Sequence, residues 1–144
     1  MMSRCEILTE ISKQSLLDRL KQLLNENDVE YKEEDTGIAF VANDSEGYDV
    51  TIRAQMNEKG SWLYLFVFVG NLSEVESHNK ERVYQGLLKM NLEISGAKVA
   101  MDSDEDFVII GESNDMDLTY NEFHGIVENV IEAAILTHKA LEQF

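Results

Sequence analysis

The sequence predicts an α+β domain in which helices pack on an antiparallel sheet, and three observations predict it. Apolar residues recur at spacings of three and four in three separate stretches, as on the buried face of an amphipathic helix. Between those stretches lie short apolar or alternating segments bounded by Gly, Asn and Asp, which read as strands. The connections between most of these segments are too short for a crossover, so the strands they join pair antiparallel.

The first helix runs through about residue 26. Leu16, Leu17, Leu20, Leu23 and Leu24 form its apolar stripe, with Lys13, Asp18, Arg19, Lys21 and Gln22 opposite. Ser12 can cap it, and Ser3 with Glu6 allows an earlier start. The polar run 25–28 ends it. A short strand over 37–41 follows, then turn residues 43–47. Residues 48–56 alternate: Tyr48, Val50, Ile52, Ala54 and Met56 on one face, Asp49, Thr51, Arg53 and Gln55 on the other. Residues 57–60 make a hairpin loop, and 61–69 form the third strand.

Ser73 and Glu76 have capping-box spacing and open a second helix that reaches about Leu92, with Val83, Tyr84, Leu87, Leu88 and Met90 apolar. Ser95 and Gly96 end it. Strands over 97–101 and 107–110 flank the acidic turn 102–106. Thr119 and Glu122 then cap a final helix of roughly five to six turns, with its stripe on Phe123, Ile126, Val127, Val130, Ile131, Ala134 and Ile135. The order is α-β-β-β-α-β-β-α, and residues 1–144 read as one domain.

Composition narrows the function. The 144 residues suffice for a core without staples. The net charge is −16, with 12 basic against 28 acidic residues, so nucleic acid and anionic membranes are not expected partners. No Lys or Arg occurs between Lys98 and Lys139. These acids either keep the protein soluble or steer a basic partner segment. No apolar run has transmembrane length, the N-terminus lacks the apolar region of a signal peptide, and Cys5 stands alone. The expectation is a cytoplasmic protein.

The third strand has more apolar surface than one core uses. With a four-residue loop, Met56 faces Ser61 and Ala54 faces Leu63. Leu63, Leu65, Val67 and Val69 then join Val50, Ile52 and Ala54 under the helices. Trp62, Tyr64, Phe66 and Phe68 fall on the other face beside Gln55, Arg53, Thr51 and Asp49. Burying one large apolar side chain is worth roughly 1.5–3 kcal/mol, so this row calls for a cover. The middle helix, neighbouring strands, a second copy or a client chain are the candidates.

No catalytic or metal constellation stands out, and no cofactor is expected. The turn 102–106 opens like a calcium loop but has Phe107 where glycine is needed and Ser113 where the bidentate glutamate belongs. His78, His124 and His138 are dispersed and read as surface residues. Cys5 has only Arg4 as a basic neighbour, too little to activate a thiol. Glycine-rich phosphate loops and nucleophile elbows are missing from the sequence.

Residues 86–102, GLLKMNLEISGAKVAMD, resemble the second half of the class I type III secretion chaperone fold, shared by the Tir-chaperone (CesT-like) and YbjN-like families. Leu87, Leu88, Asn91, Gly96 and Asp102 match the recurring pattern of these families, and the element order extends the likeness over nearly the whole chain. The resemblance implies a non-enzymatic cytoplasmic protein, usually homodimeric, that binds an extended client segment. By position it implies a dimer interface at Val83, Tyr84, Leu87 and Leu88, while alternation nominates Trp62, Tyr64, Phe66 and Phe68 for partner binding. The alternative it leaves is a YbjN-like stand-alone regulatory or small-ligand-binding domain. The turn 102–106 departs from the pattern in lacking a glycine.

Overall fold

In the computed structural model, which describes residues 15–43, 46–47 and 49–143, helix α1 (Leu16–Glu26) starts at Ser15. The Ser15 hydroxyl accepts from the Asp18 N–H at 3.0 Å, and the Asp18 carboxylate accepts from the Ser15 N–H at 3.4 Å. Ser3, Cys5, Ser12, Lys13 and Tyr48 lie outside the described residues. The chain then forms β1 (Tyr31–Glu34), β2 (Gly37–Asn43), β3 (Asp49–Met56) and β4 (Leu63–Asn71). After two short 3₁₀ turns come α2 (Lys80–Met90), β5 (Lys98–Met101), β6 (Asp106–Ser113) and α3 (Tyr120–Leu141). The six strands form one antiparallel sheet in the order β1-β2-β3-β4-β6-β5.

Strand β1 is an addition to the order read from sequence. Its residues, Tyr-Lys-Glu-Glu, carry no apolar alternation, because an edge strand exposed along most of its length needs none. The Lys21 ammonium donates to Glu33 at 2.7 Å and ties α1 to this edge. That hydrogen bond raises the Lys21 pKa above its ordinary value against a smaller opposing effect of burial. The Lys21 ammonium therefore stays charged at neutral pH, and its contribution is lost as pH rises through the raised lysine pKa.

The hairpin loop is longer than four residues. Met56 faces Leu63 and Ala54 faces Leu65, a shift of two positions that leaves Leu63, Leu65 and Val67 on their expected face. Asn57 holds the turn: its Oδ1 accepts from the N–H groups of Ser61 and Trp62. Val69 occupies a bulge between Phe68 and Gly70, so it leaves the regular inner row.

The segment before α2 also differs from expectation. Ser73 and Glu76 do not cap a long helix. Asn71 caps a 3₁₀ turn at Leu72–Glu74 with reciprocal bonds to Ser73 and Glu74, and α2 begins only at Lys80. Asn71 does more than cap. Its amide donates to Asp106 Oδ1 at 2.7 Å and to the Asp104 carbonyl at 3.1 Å, fastening the turn between β5 and β6. In that turn Asp102 Oδ1 accepts from the Asp104 and Asp106 N–H groups, and Glu105 takes a positive φ of 65° where glycine is the usual choice. Asn71→Ala is expected to lower stability by about 1–2 kcal/mol in urea unfolding, since one truncation frees several hydrogen-bonding groups at once.

The core lies between one face of the sheet and the helices. Ile38, Phe40, Ile52, Ala54, Leu63, Leu65, Val67, Phe107 and Ile109 supply the sheet side; Leu16, Leu20 and Leu24 of α1, Val83 of α2, and Phe123, Val127 and Val130 of α3 supply the helix side. The Thr119 hydroxyl accepts from the Glu122 N–H at 3.2 Å and starts α3 where the sequence predicts. Among the described residues, no helix is long and apolar enough to cross a membrane.

Candidate functional site

With the helices packed on one face, the described residues leave the other face of the sheet open. No residue of its central rows is buried, whereas the alternate residues of the same strands are. On this open face Phe66 lies opposite Ile110 and Phe68 opposite Val108, and Val108 in turn faces Ala100 of β5. Tyr64 and Phe66 extend the row, their ring centroids 6.0 Å apart. Phe68 is 56% exposed. Polar groups frame the apolar strip: Arg53, paired with Glu34 at 3.2 Å, borders Phe66 on one side, and Lys98, 3.7 Å from Glu112, closes the other.

Three of the four aromatic residues nominated from sequence thus share one surface. Trp62 does not belong to the strand: it lies in the loop before Leu63 and is half-buried. The sequence reading missed the contribution of β6, where Val108 and Ile110 broaden the strip. Alternation over 107–110 carried that signal, because Phe107 and Ile109 point into the core and their neighbours point away.

The middle helix divides its four nominated residues. Val83 is fully buried and Leu87 is 7% exposed, so both pack into the core of the single chain. Tyr84 and Leu88 point outward, Leu88 with 70% of its surface exposed. Leu92, one turn further on and absent from the nominated set, is 89% exposed. Tyr84 and Leu88 lie one turn apart on α2, and Leu92 adds a third exposed apolar residue in the turn just after it.

The histidines pair locally with acids on exposed surface: His78 with Glu76, His124 with Glu128 and His138 with Glu142. The carboxylates of Asp102, Asp104 and Asp106 lie within 4.8 Å of one another, but Asp102 and Asp106 already accept the protein donors described above.

The chain matches over residues 16–137 a family described as "YbjN: Putative bacterial sensory transduction regulator". It belongs to the YbjN family. Among solved structures it is similar to YbjN from E. coli, at 18% identity and a TM-score of 0.62, covering 88% of this chain and 92% of that one. A chain of the ExsC-ExsE complex is 14% identical with a TM-score of 0.61, covering 87% and 95%. The structure of the Yersinia pestis type III secretion chaperone SycH in complex with a stable fragment of YscM2 gives 17% identity and a TM-score of 0.55, covering 87% and 99%. No curated protein matches in sequence. This YbjN-family chain therefore has the fold of the type III secretion chaperones, as the 86–102 segment implied.

Proposed function

We propose that this YbjN-family chain is a non-catalytic protein-binding domain that acts as a homodimer. The observation that carries the reading is the apolar surface left outside the core: the strip of Phe66, Phe68, Val108 and Ile110 on the open sheet face, and the stripe of Tyr84, Leu88 and Leu92 on and after α2. A monomer keeps such groups dry only through a partner. A helical stripe suits a second copy, because identical stripes related by a twofold axis meet each other. The open sheet face then serves the partner protein. The solved complexes ExsC-ExsE and SycH with a YscM2 fragment support protein binding on this fold, and the family description supports a regulatory setting for it.

Sedimentation equilibrium tests the dimer. Wild type is expected near twice the 16.4 kDa chain mass. Leu88→Asp is expected to weaken self-association by at least about thirtyfold, about 2 kcal/mol, with an unchanged circular dichroism spectrum. Phe68→Asp is expected to stay dimeric and lose partners captured from native lysate. A wild-type monomer at high micromolar concentration sinks the homodimer, and undiminished capture by Phe68→Asp sinks the assignment of the sheet face.

A further inference from the structure

Strand β2 runs on past the end of β1, through Val41, Ala42 and Asn43, and Val29, half-buried in the connection between α1 and β1, lies on the same side. Helix α3 faces them across a cleft of about 620 Å³, a size that holds a small organic molecule. Four rings line it. Phe40 and Phe123 have centroids 5.6 Å apart, Tyr120 is 6.0 Å from Phe123, and Tyr120 is 6.1 Å from His124. Val127 and Ile131 continue the apolar lining along the helix.

Two carboxylates border this lining. Glu128 and Glu132, exposed and one turn apart, stand on the α3 side of the cleft. His124 lies 3.4 Å from Glu128, and among the described residues no ion pair reaches Glu132. No Lys or Arg among them lines the cleft. The chain holds no Lys or Arg between Lys98 and Lys139, so α3 sets neither beside these carboxylates before its last turn.

We propose that this cleft is a binding site for a small organic cation, an ammonium group carried on an apolar body. The site lies on the α3 side of the sheet, apart from the surfaces assigned to partner protein and second copy, and does not depend on them. Each feature selects one part of the ligand. An anion is repelled by both carboxylates, and a neutral apolar molecule would strip water from them with nothing in exchange. A divalent metal ion needs about six oxygen ligands, and rings and aliphatic groups offer none. An ammonium is attracted by the carboxylates and the aromatic lining alike, while its apolar body covers Val127 and Ile131.

The test uses dansylcadaverine, a naphthalene ring joined by a short alkyl chain to a primary ammonium, whose emission rises in apolar surroundings. Titrated into the full chain, it is expected to bind saturably and to move amide chemical shifts at residues 40–43 and 120–135. Its N-acetyl derivative keeps the ring and loses the charge, and is expected to bind at least about fivefold more weakly. Glu128→Gln/Glu132→Gln, at exposed positions with little bearing on folding, is expected to weaken the amine by a similar factor and leave the acetylated probe unchanged. Glu81→Gln/Glu93→Gln removes the same charge from exposed positions on and just after α2 and is expected to alter neither. Absence of saturable binding, equal affinity of the acetylated probe, or equal weakening in the two double variants each overturns the site. Nα-acetyl-lysine methylamide carries the ammonium without the ring; if it binds as tightly as dansylcadaverine, the cleft seats a partner's lysine and the small-molecule site is overturned. Phe68→Asp and Leu88→Asp are expected to bind the probe as wild type does, so failure of the sheet-face or dimer assignment leaves this result standing.

Discussion

Phe107→Ala is expected to lower the unfolding free energy by about 3–5 kcal/mol, a large share of the 5–15 kcal/mol typical of a domain. The ring is 1% exposed and lies near the start of β6, with Met101 of the edge strand β5 opposite on one side and Gly70 of β4 on the other. A Cβ built on Gly70 would lie 3.9 Å from the Phe107 ring and 3.5 Å from Leu141 Cδ1, which places the ring near the C-terminal end of α3. Gly70 has no side chain to spread into the vacated space, and the β6 backbone is fixed by partners on both edges, so the cavity persists. Urea titration is expected to show a lower midpoint at unchanged slope. Phe68→Ala is the internal control. It removes the same ring from the same sheet, but from the open face, and is expected to cost less than about 1 kcal/mol in the monomer. Equal losses in the two variants mean that the open face is covered in solution.

That contrast marks how far the sequence carries. Face assignment on the strands was legible because alternation has a period of two, and the two-residue shift of the β3–β4 hairpin preserved it. Strand β1 was not legible, since an exposed edge strand places no apolar demand on its residues. The start of α2 was misplaced because Ser73–Glu76 and Asn71–Glu74 both have cap-box spacing, and tertiary bonds from Asn71 to Asp104 and Asp106 favour the second. The exposed stripe on α2 was half legible. Its apolar content was plain, but which residues face the core depends on where α3 lies, and that is a tertiary fact.

The second large effect is expected at Gly111, buried on β6 opposite Leu65. A Cβ there would come within 2.6 Å of Val130 Cγ2 and 2.8 Å of Ile126 Cγ2, nearer than real side chains approach. The missing side chain is what lets α3 settle onto the sheet. Alanine at this position is expected to cost about 1–3 kcal/mol through overpacking, and valine more, since its branches point into the same helix. For a chain of this size each kcal/mol lowers Tm by roughly 2–4 °C, so thermal melting resolves both variants. A second substitution separates helix displacement from general damage. Val130→Ala removes the methyl group that a Cβ at 111 meets first, so Gly111→Ala/Val130→Ala is expected to lose less than the sum of the single losses. Strict additivity, or a Gly111→Val protein that melts like wild type, is the result that places α3 elsewhere.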